Sequence, residues 1–185
     1  MTDLEKLMLL LPIMFMLHEY EEVVMFKQWI FQNRENLKRH FPKVEAFITE
    51  RGLFDYSTST FAVGTAHEFI LLSVVSFFAV WQGTYQWWFA VLMGHSIHLF
   101  IHLAQWIIYR KYIPVIVTTL LTLPYCIYAF VKFTDTTSLS PLQMVLWTVI
   151  GITLAALSLL SAFFLMSKFY RWEVKRGIFF LIIET

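Results

Sequence analysis

Long apolar stretches are the feature that most restricts what this chain can fold into. A helix needs roughly 20 consecutive apolar residues to cross a bilayer, and the sequence contains several such stretches. Of the 185 residues, 58% are hydrophobic and 15% charged, whereas an ordinary soluble domain has about 45–50% apolar and about 25% charged residues. We therefore predict an all-α fold, a polytopic membrane helical bundle in one domain over residues 1–185. The five predicted spans are residues 5–31, 60–82, 85–109, 113–132 and 141–167.

The polar segment between the first two spans is predicted to contain a short amphipathic helix at residues 42–51. Pro42 suits the first position of a helix, and Gly52 suits the position after its last turn. Because the apolar residues of this helix fall on one stripe, we expect it to lie on the cytoplasmic membrane surface. Residues 168–185 are predicted to form a cytoplasmic tail.

Lysine and arginine are distributed unevenly between the predicted loops. Most of them lie in the polar segment after the first span, in the loop after the third span and in the C-terminal tail. Because these residues accumulate on the cytoplasmic side of a membrane, the N-terminus is predicted outside and the C-terminus in the cytoplasm. The net charge of +1 provides no concentrated basic face, which argues against nucleic acid as a partner.

The first span contains the ionisable cluster His18-Glu19-Tyr20-Glu21-Glu22 in an otherwise apolar helix. Ionisable groups at membrane depth cost several kcal/mol, so they are rare there and are usually functional. His18, Glu21 and Glu22 stand at i, i+3 and i+4 and are expected to share one face. Glu19 points about 100° away from His18, so we expect it to be a cap or relay partner and not a ligand.

Two further spans supply histidines and a glutamate. His95, His98 and His102 form a stripe about 60° wide on the third span. The second span has His67 next to Glu68, and adjacent helical positions diverge, so only one of the two can face a given point.

Depth in the membrane predicts that these side chains meet. At 1.5 Å per residue, Glu22, Glu68 and His102 lie about 12–13 Å from the cytoplasmic ends of their spans. His18 and His98 come out deeper, at roughly 18–20 Å. Two layers of matched depth are therefore expected, in the half of the membrane that faces the cytoplasm.

This set of side chains is suited either to a metal site or to a carboxylate–histidine hydrogen-bond network. Imidazole nitrogens with carboxylate oxygens suit zinc, iron or manganese. The predicted ligands are His18, Glu22, Glu68, His98 and His102, with Glu21, His95 and His67 as weaker candidates. Five or six ligands exceed the three that a single catalytic zinc uses. The site is therefore expected to hold two ions, or one ion with further carboxylates that orient its histidines.

The sequence resembles the HXXEE family of small bacterial membrane proteins through the motif that begins at His18. That family has a later histidine followed by Tyr-x-Pro-Gly. Here His102 precedes Tyr112-Ile113-Pro114-Val115, so Val115 replaces the glycine. The resemblance covers roughly residues 5–130. It implies a bacterial inner (cytoplasmic) membrane and a domain of unknown function that is suspected to be a metal-dependent enzyme.

The first function hypothesis is a metal-dependent hydrolase that acts on a lipid or another apolar substrate in the inner leaflet. A bound ion lowers the pKa of water and polarises an ester, amide or phosphoryl oxygen, and Glu21 or Glu22 would be the general base. A di-iron lipid oxygenase or desaturase is an alternative. We rank it lower because di-iron bundles favour Glu-x-x-His, and this chain has the reverse order.

Two other classes remain open. The same ligands suit a transporter or sensor of metal ions or protons, although the chain lacks the repeats and paired broken helices that indicate alternating access. A purely structural subunit is the third class. Small residues permit close helix approach, and the last span presents a stripe that would pack internally or in a homodimer: Gly151, Ala155, Ser158 and Ala162.

Overall fold

The computed structural model describes residues 1–137 and 139–177, and these form six α-helices and no strand. The helices are α1 (Asp3–His40), α2 (Pro42–Glu50), α3 (Thr58–Gln82), α4 (Tyr85–Tyr109), α5 (Ile116–Thr136) and α6 (Pro141–Lys175). The all-α prediction is confirmed. Helices α3 to α6 are long and apolar enough to cross a membrane. Helix α1 carries the charged motif and is not among them, so the number of five spans stays a prediction.

Several helix ends differ from the predicted ones. Helix α1 continues to His40, past the expected end at residue 31, because no proline or glycine stands between residue 31 and Pro42. Helix α6 begins at Pro141 as predicted, with a Ser140–Gln143 capping box, but it continues to Lys175. The predicted tail is therefore helical in its first part, and residues 178–185 lie outside the described residues. Helix α2 agrees with the predicted bounds 42–51 to within one residue, and its location on a membrane surface stays a prediction.

The ionisable motif lies between two apolar clusters. The first, which we call the N-terminal cluster, joins the start of α1 to α4 and α5 through Met8, Leu11, Trp88 and Phe133, among others. The second, the C-terminal cluster, joins the end of α1 to α2 and α6 through Leu37, Ile48 and Met166, among others. Residues 18–22 fall between these clusters along α1. The ionisable groups of the motif are thus confined to one layer of the bundle.

A proline near the start of α1 is paired with a tryptophan from α4. Pro12 has no N–H, so the carbonyl of Met8 loses its normal partner within the helix. The indole N–H of Trp88 donates to that Met8 oxygen at 3.1 Å. Trp88 is fully buried. This bond therefore fixes α4 against α1 about three turns before the motif.

Glycines bring α4 and α6 into close contact. A Cβ on Gly94 would lie 2.8 Å from the Gly151 carbonyl oxygen, and a Cβ on Gly151 would overlap the backbone of Ala90. Both positions therefore require glycine. The Gly151 end of the small-residue stripe is used for packing inside the chain. A homodimer through the whole stripe remains a prediction.

Candidate metal centre

Four histidine rings meet between α1 and α4. The ring centroid of His18 lies 5.8 Å from that of His95, 5.4 Å from that of His98 and 5.3 Å from that of His102. The Nε2 atoms of His98 and His102 are 2.9 Å apart. Helices α1 and α4 touch each other little, because each packs mainly against the helices on either side. The histidines thus converge across the interior of the bundle.

His18 is the buried centre of this cluster. Its side chain has 0% exposure, and within the described residues neither Nδ1 nor Nε2 has a hydrogen-bond partner. A buried polar group without a partner costs roughly 1–3 kcal/mol, so almost all such groups in native proteins are satisfied. One ligand atom each from His18, His98 and His102 lies within 4.8 Å of the others. A cation at this point would use the lone pair that the protein leaves unused.

The orientation of His102 is favourable for binding an ion. Its Nδ1 lies 2.9 Å from the side-chain oxygen of Gln105, and an amide oxygen only accepts hydrogen bonds. Nδ1 therefore carries the proton, and Nε2 presents a lone pair towards His98 and His18. Partners of this kind commonly fix the tautomer of a metal-binding histidine.

The carboxylates of Glu19 and Glu22 lie beside His98. Glu19 Oε1 is 3.7 Å from His98 Nε2, and Glu19, Glu22 and His98 form a second group whose ligand atoms lie within 4.8 Å of one another. Thr65 on α3 donates to the other Glu19 oxygen at 3.4 Å. The expectation that Glu19 points away from the cluster is therefore wrong.

Helix geometry explains that error. Relative to His18, Glu22 lies at about 40°, Glu19 at about 100° and Glu21 at about −60° around the helix axis. The site spans the arc from His18 to Glu19 and is centred near Glu22. We expected an arc from His18 to Glu21, because spacing alone identifies shared faces but does not show which neighbour each face meets.

Glu21 is not brought to the histidines and instead connects α1 to α5. It accepts hydrogen bonds from the Tyr112 hydroxyl and from the Thr118 backbone N–H, each at 2.8 Å. The Thr118 hydroxyl lies 2.8 Å from the same carboxylate and 3.0 Å from the His18 carbonyl oxygen. Burial, together with the hydrogen bond to Glu21, raises the pKa of Tyr112 to about 12. Glu21 thus holds the motif helix in place.

The turn that presents Thr118 to Glu21 contains an unusual backbone. Val115 precedes the first residue of α5 and has φ +88°, a left-handed conformation that is a genuine outlier for a β-branched residue. In the family motif that the sequence resembles, this position is glycine, which adopts such angles without strain. Val115 therefore holds a backbone conformation that glycine would adopt without strain.

The remaining candidate residues divide into two groups. Glu68 interacts electrostatically with Glu19 and His98, and its Oε1 atom is buried without a hydrogen-bond partner in the described residues. His95 Nε2 is likewise buried and without a partner there. His67 faces α6 instead, with Nε2 2.7 Å from the Ser161 hydroxyl. Of the adjacent pair, Glu68 is thus the residue on the side of the site.

The two predicted layers are not separated as expected. His102, which depth pairs with Glu22, groups with His18, and His98 belongs to both groups of ligand atoms. The polar residues that orient the site, Thr65, Gln105 and Thr118, were not predicted from the sequence. Gln105 stands three residues after His102 on the same stripe, which is a signal that sequence reasoning could have used.

Comparison with known proteins identifies one family. A family model described as "Protein of unknown function with HXXEE motif" matches residues 9–129, which is more than half of the chain. The matched region includes the motif, the histidines of α4 and the Val115 turn. No curated protein and no solved structure matches the chain.

Proposed function

The chain belongs to the family of proteins of unknown function with an HXXEE motif, and from that premise we propose that it is a membrane-embedded metalloenzyme. One observation carries the proposal. His18 is fully buried with both ring nitrogens unpartnered among the described residues, and it faces His98 and His102. A hydrogen-bond network that served only packing would satisfy these atoms.

In this proposal His18, His98 and His102 hold one divalent ion. Three protein ligands with one open position are characteristic of catalytic zinc, and zinc is our first choice, followed by iron and manganese. Glu19, Glu22 and Glu68 surround the open side of His98. Their negative charges compensate the charge of the ion in a region with little water.

The carboxylates beside His98 supply the acid–base function. A bound divalent ion polarises the oxygen of an ester, amide or phosphoryl group and makes water more acidic. Glu22 lies at the centre of the converging arc, so it accepts the proton from the attacking water and returns it to the leaving group. Glu19, which accepts a hydrogen bond from Thr65, lies beside Glu22 and stabilises the protonated form that Glu22 takes on during the reaction.

The proposed substrate is a lipid or another apolar molecule. Helices α3 to α6 are apolar enough to cross a membrane, and the site lies between them and α1. We place the N-terminus outside and the site in the inner-leaflet half of a bacterial inner membrane. Hydrolysis is preferred to metal transport because the ligands are held by fixed partners such as Gln105 and Thr118.

Elemental analysis of the detergent-purified protein tests the metal. We expect about one ion per chain, lost in His102→Ala because a ligand is removed. His67→Ala is the matched control, since His67 pairs with Ser161 and should leave the metal content unchanged. A metal-free wild type that also fails to bind added zinc, iron or manganese would refute the metal centre. Two ions per chain would support the di-iron alternative, for which the group formed by Glu19, Glu22 and His98 is the favouring observation.

Lipid analysis separates an enzyme from a transporter. Membranes of cells with and without the protein should differ in one lipid species, and Glu22→Gln should remove that difference. If the lipids are identical while the metal content of the cells changes, the transport alternative is correct.

A further inference from the structure

Helices α4 and α6 cross at the glycine contact and then separate. At the crossing, a Cβ on Gly94 would meet the Gly151 oxygen and the Ala155 side chain. Past the crossing, α6 turns to α3. His67 contacts Ser161, a Cβ on Gly64 would overlap Met166, and Ser57 donates to Glu173. The two helices therefore form a V whose apex is the Gly94–Gly151 contact.

Exposure increases along the α4 side of this V. Gly94 is buried, the His98 side chain is 37% exposed, and Ile101 is 52% exposed. Residues 104–108 are all exposed, and at about 100° per residue five successive positions cover the whole circumference of a helix. Within the described residues, the last turns of α4 thus have no neighbouring helix on the side where α6 would continue.

The α6 side is exposed from the turn just past the crossing. Residues 152–157 are all exposed, although Gly151 before them and Ala162 after them are buried. Ala155 lies one turn after Gly151 on the face towards α4, so its small side chain forms part of the opening. The mouth of the V therefore extends from Ala155 on α6, next to the crossing, to Ile101 on α4, about two turns past Gly94.

The bottom of the V is the candidate metal centre. His98 is half-buried, with 37% of its side chain exposed, and Glu68 on α3 interacts with it electrostatically. Ser158, one turn after Ala155, interacts with the Glu68 carboxyl group. An apolar opening that leads to a charged floor suits a molecule with an apolar tail and a polar linkage.

We propose that the V between α4 and α6 is the lateral opening through which the acyl chain of a membrane lipid reaches the site. The inference rests on the proposed function, which it deepens by naming the route and the part of the lipid that occupies it. Both walls belong to helices that are apolar enough to cross a membrane, so the mouth faces hydrocarbon and takes up an acyl chain in preference to water. The ester or phosphate linkage of that lipid then lies against His98.

Photolabelling of the full chain tests this route. The protein is reconstituted in phosphatidylcholine vesicles that contain a small fraction of phosphatidylcholine with a photoreactive diazirine at the ester end of one acyl chain. After irradiation, we expect adducts on His98 and Glu68, which ordinary surrounding lipids do not touch. Ala155→Trp and Ile101→Trp fill the mouth from opposite walls and should each lose most of these adducts.

The control variant is Leu142→Trp, which lies on the same helix at an exposed position outside the V and should keep the adducts. An unlabelled floor, or equal labelling of the floor in Ala155→Trp, would overturn the proposal. A dimer of the wild type that Ala155→Trp makes monomeric, together with an unlabelled floor, would show that a second copy occupies the V. Metal content is measured on the same samples. If His98 and Glu68 are labelled but the protein contains no metal, the metalloenzyme proposal is refuted and the lipid route is supported. If the protein contains metal but these residues are not labelled, the lipid route is refuted and the metalloenzyme proposal stands.

Discussion

The bundle contains two buried polar clusters, and they differ in how completely their atoms are paired. In the first, which we call the anchor cluster, the Glu173 carboxylate accepts hydrogen bonds from Ser57 at 2.7 Å and from Thr60 at 2.8 Å. In the candidate metal centre, both nitrogens of His18, Nε2 of His95 and Oε1 of Glu68 lack partners in the described residues. Both clusters join distant helices. In the described residues, the buried side-chain atoms of Ser57, Thr60 and Glu173 have hydrogen-bond partners, whereas those of the candidate metal centre do not all have them.

The difference separates a structural role from a binding role. Glu173 lies at the start of α3, where unpaired N–H groups favour a negative charge, and Ser57 also caps that helix. These hydrogen bonds and the N-terminus of α3 compensate the buried charge of Glu173, so the anchor cluster does not require a bound ion. The candidate metal centre leaves several buried polar atoms unpaired in the described residues, and in our proposal a bound ion offsets the cost of those on His18.

The largest effect is expected from His18→Leu, which removes both the unpaired nitrogens and the ion. An ion at about 1,000 times its dissociation constant stabilises the native state by about 4 kcal/mol. Chelation should therefore reduce the free energy of unfolding of the wild type by about 4 kcal/mol and so lower its melting temperature. The melting temperature of His18→Leu should not change on chelation. Thermal unfolding in detergent, with and without chelator, measures this. An equal response of both proteins would place the ion elsewhere.

Glu173→Ala should destabilise the protein by about 2–3 kcal/mol, because it leaves two buried hydroxyl groups without their acceptor. The metal content should not change, since the anchor cluster does not contact the histidines. Chemical denaturation and elemental analysis of the same preparation check both statements. Glu50→Ala, at an exposed position, serves as the control. If Glu173→Ala loses its metal, the two clusters are not independent.

Glu21→Ala should cost about 2 kcal/mol, because hydrogen bonds from Tyr112 and Thr118 are lost to a charged acceptor. The loss should also weaken metal binding, since Thr118 connects Glu21 to the His18 carbonyl. Tyr112→Phe removes only one of these bonds and should have a smaller effect on both quantities. Metal titration followed by thermal unfolding measures them. Weakened metal binding without any loss of stability would instead make Glu21 a ligand.

The smallest effect concerns the turn at Val115. Glycine usually destabilises a protein relative to alanine, but at φ +88° a side chain costs about 1 kcal/mol or more. We expect Val115→Gly to be more stable than Val115→Ala by about 1 kcal/mol in denaturation experiments. The usual order, with alanine the more stable, would show that this turn relaxes in solution.

Some features of the fold and the site follow from the sequence alone. Apolar length located α3 and α4 within two residues, and the spacing of His98 and His102 placed both on the face that meets His18. The error at Glu19 and Glu21 has a physical origin. Both lie within about 100° of His18, and only the positions of α3 and α5 decide which of them meets the histidines.

The contact between Pro12 and Trp88 also bears on how the protein is made. The carbonyl of Met8 has no side-chain donor until Trp88, 80 residues later in the chain, has been synthesised. A buried carbonyl without a partner costs roughly 1–3 kcal/mol. The helix that carries the motif therefore reaches its final packing only after α4 has been synthesised and has docked against it. Formation of the candidate metal centre is thereby coupled to the arrival of the helix that supplies most of its histidines.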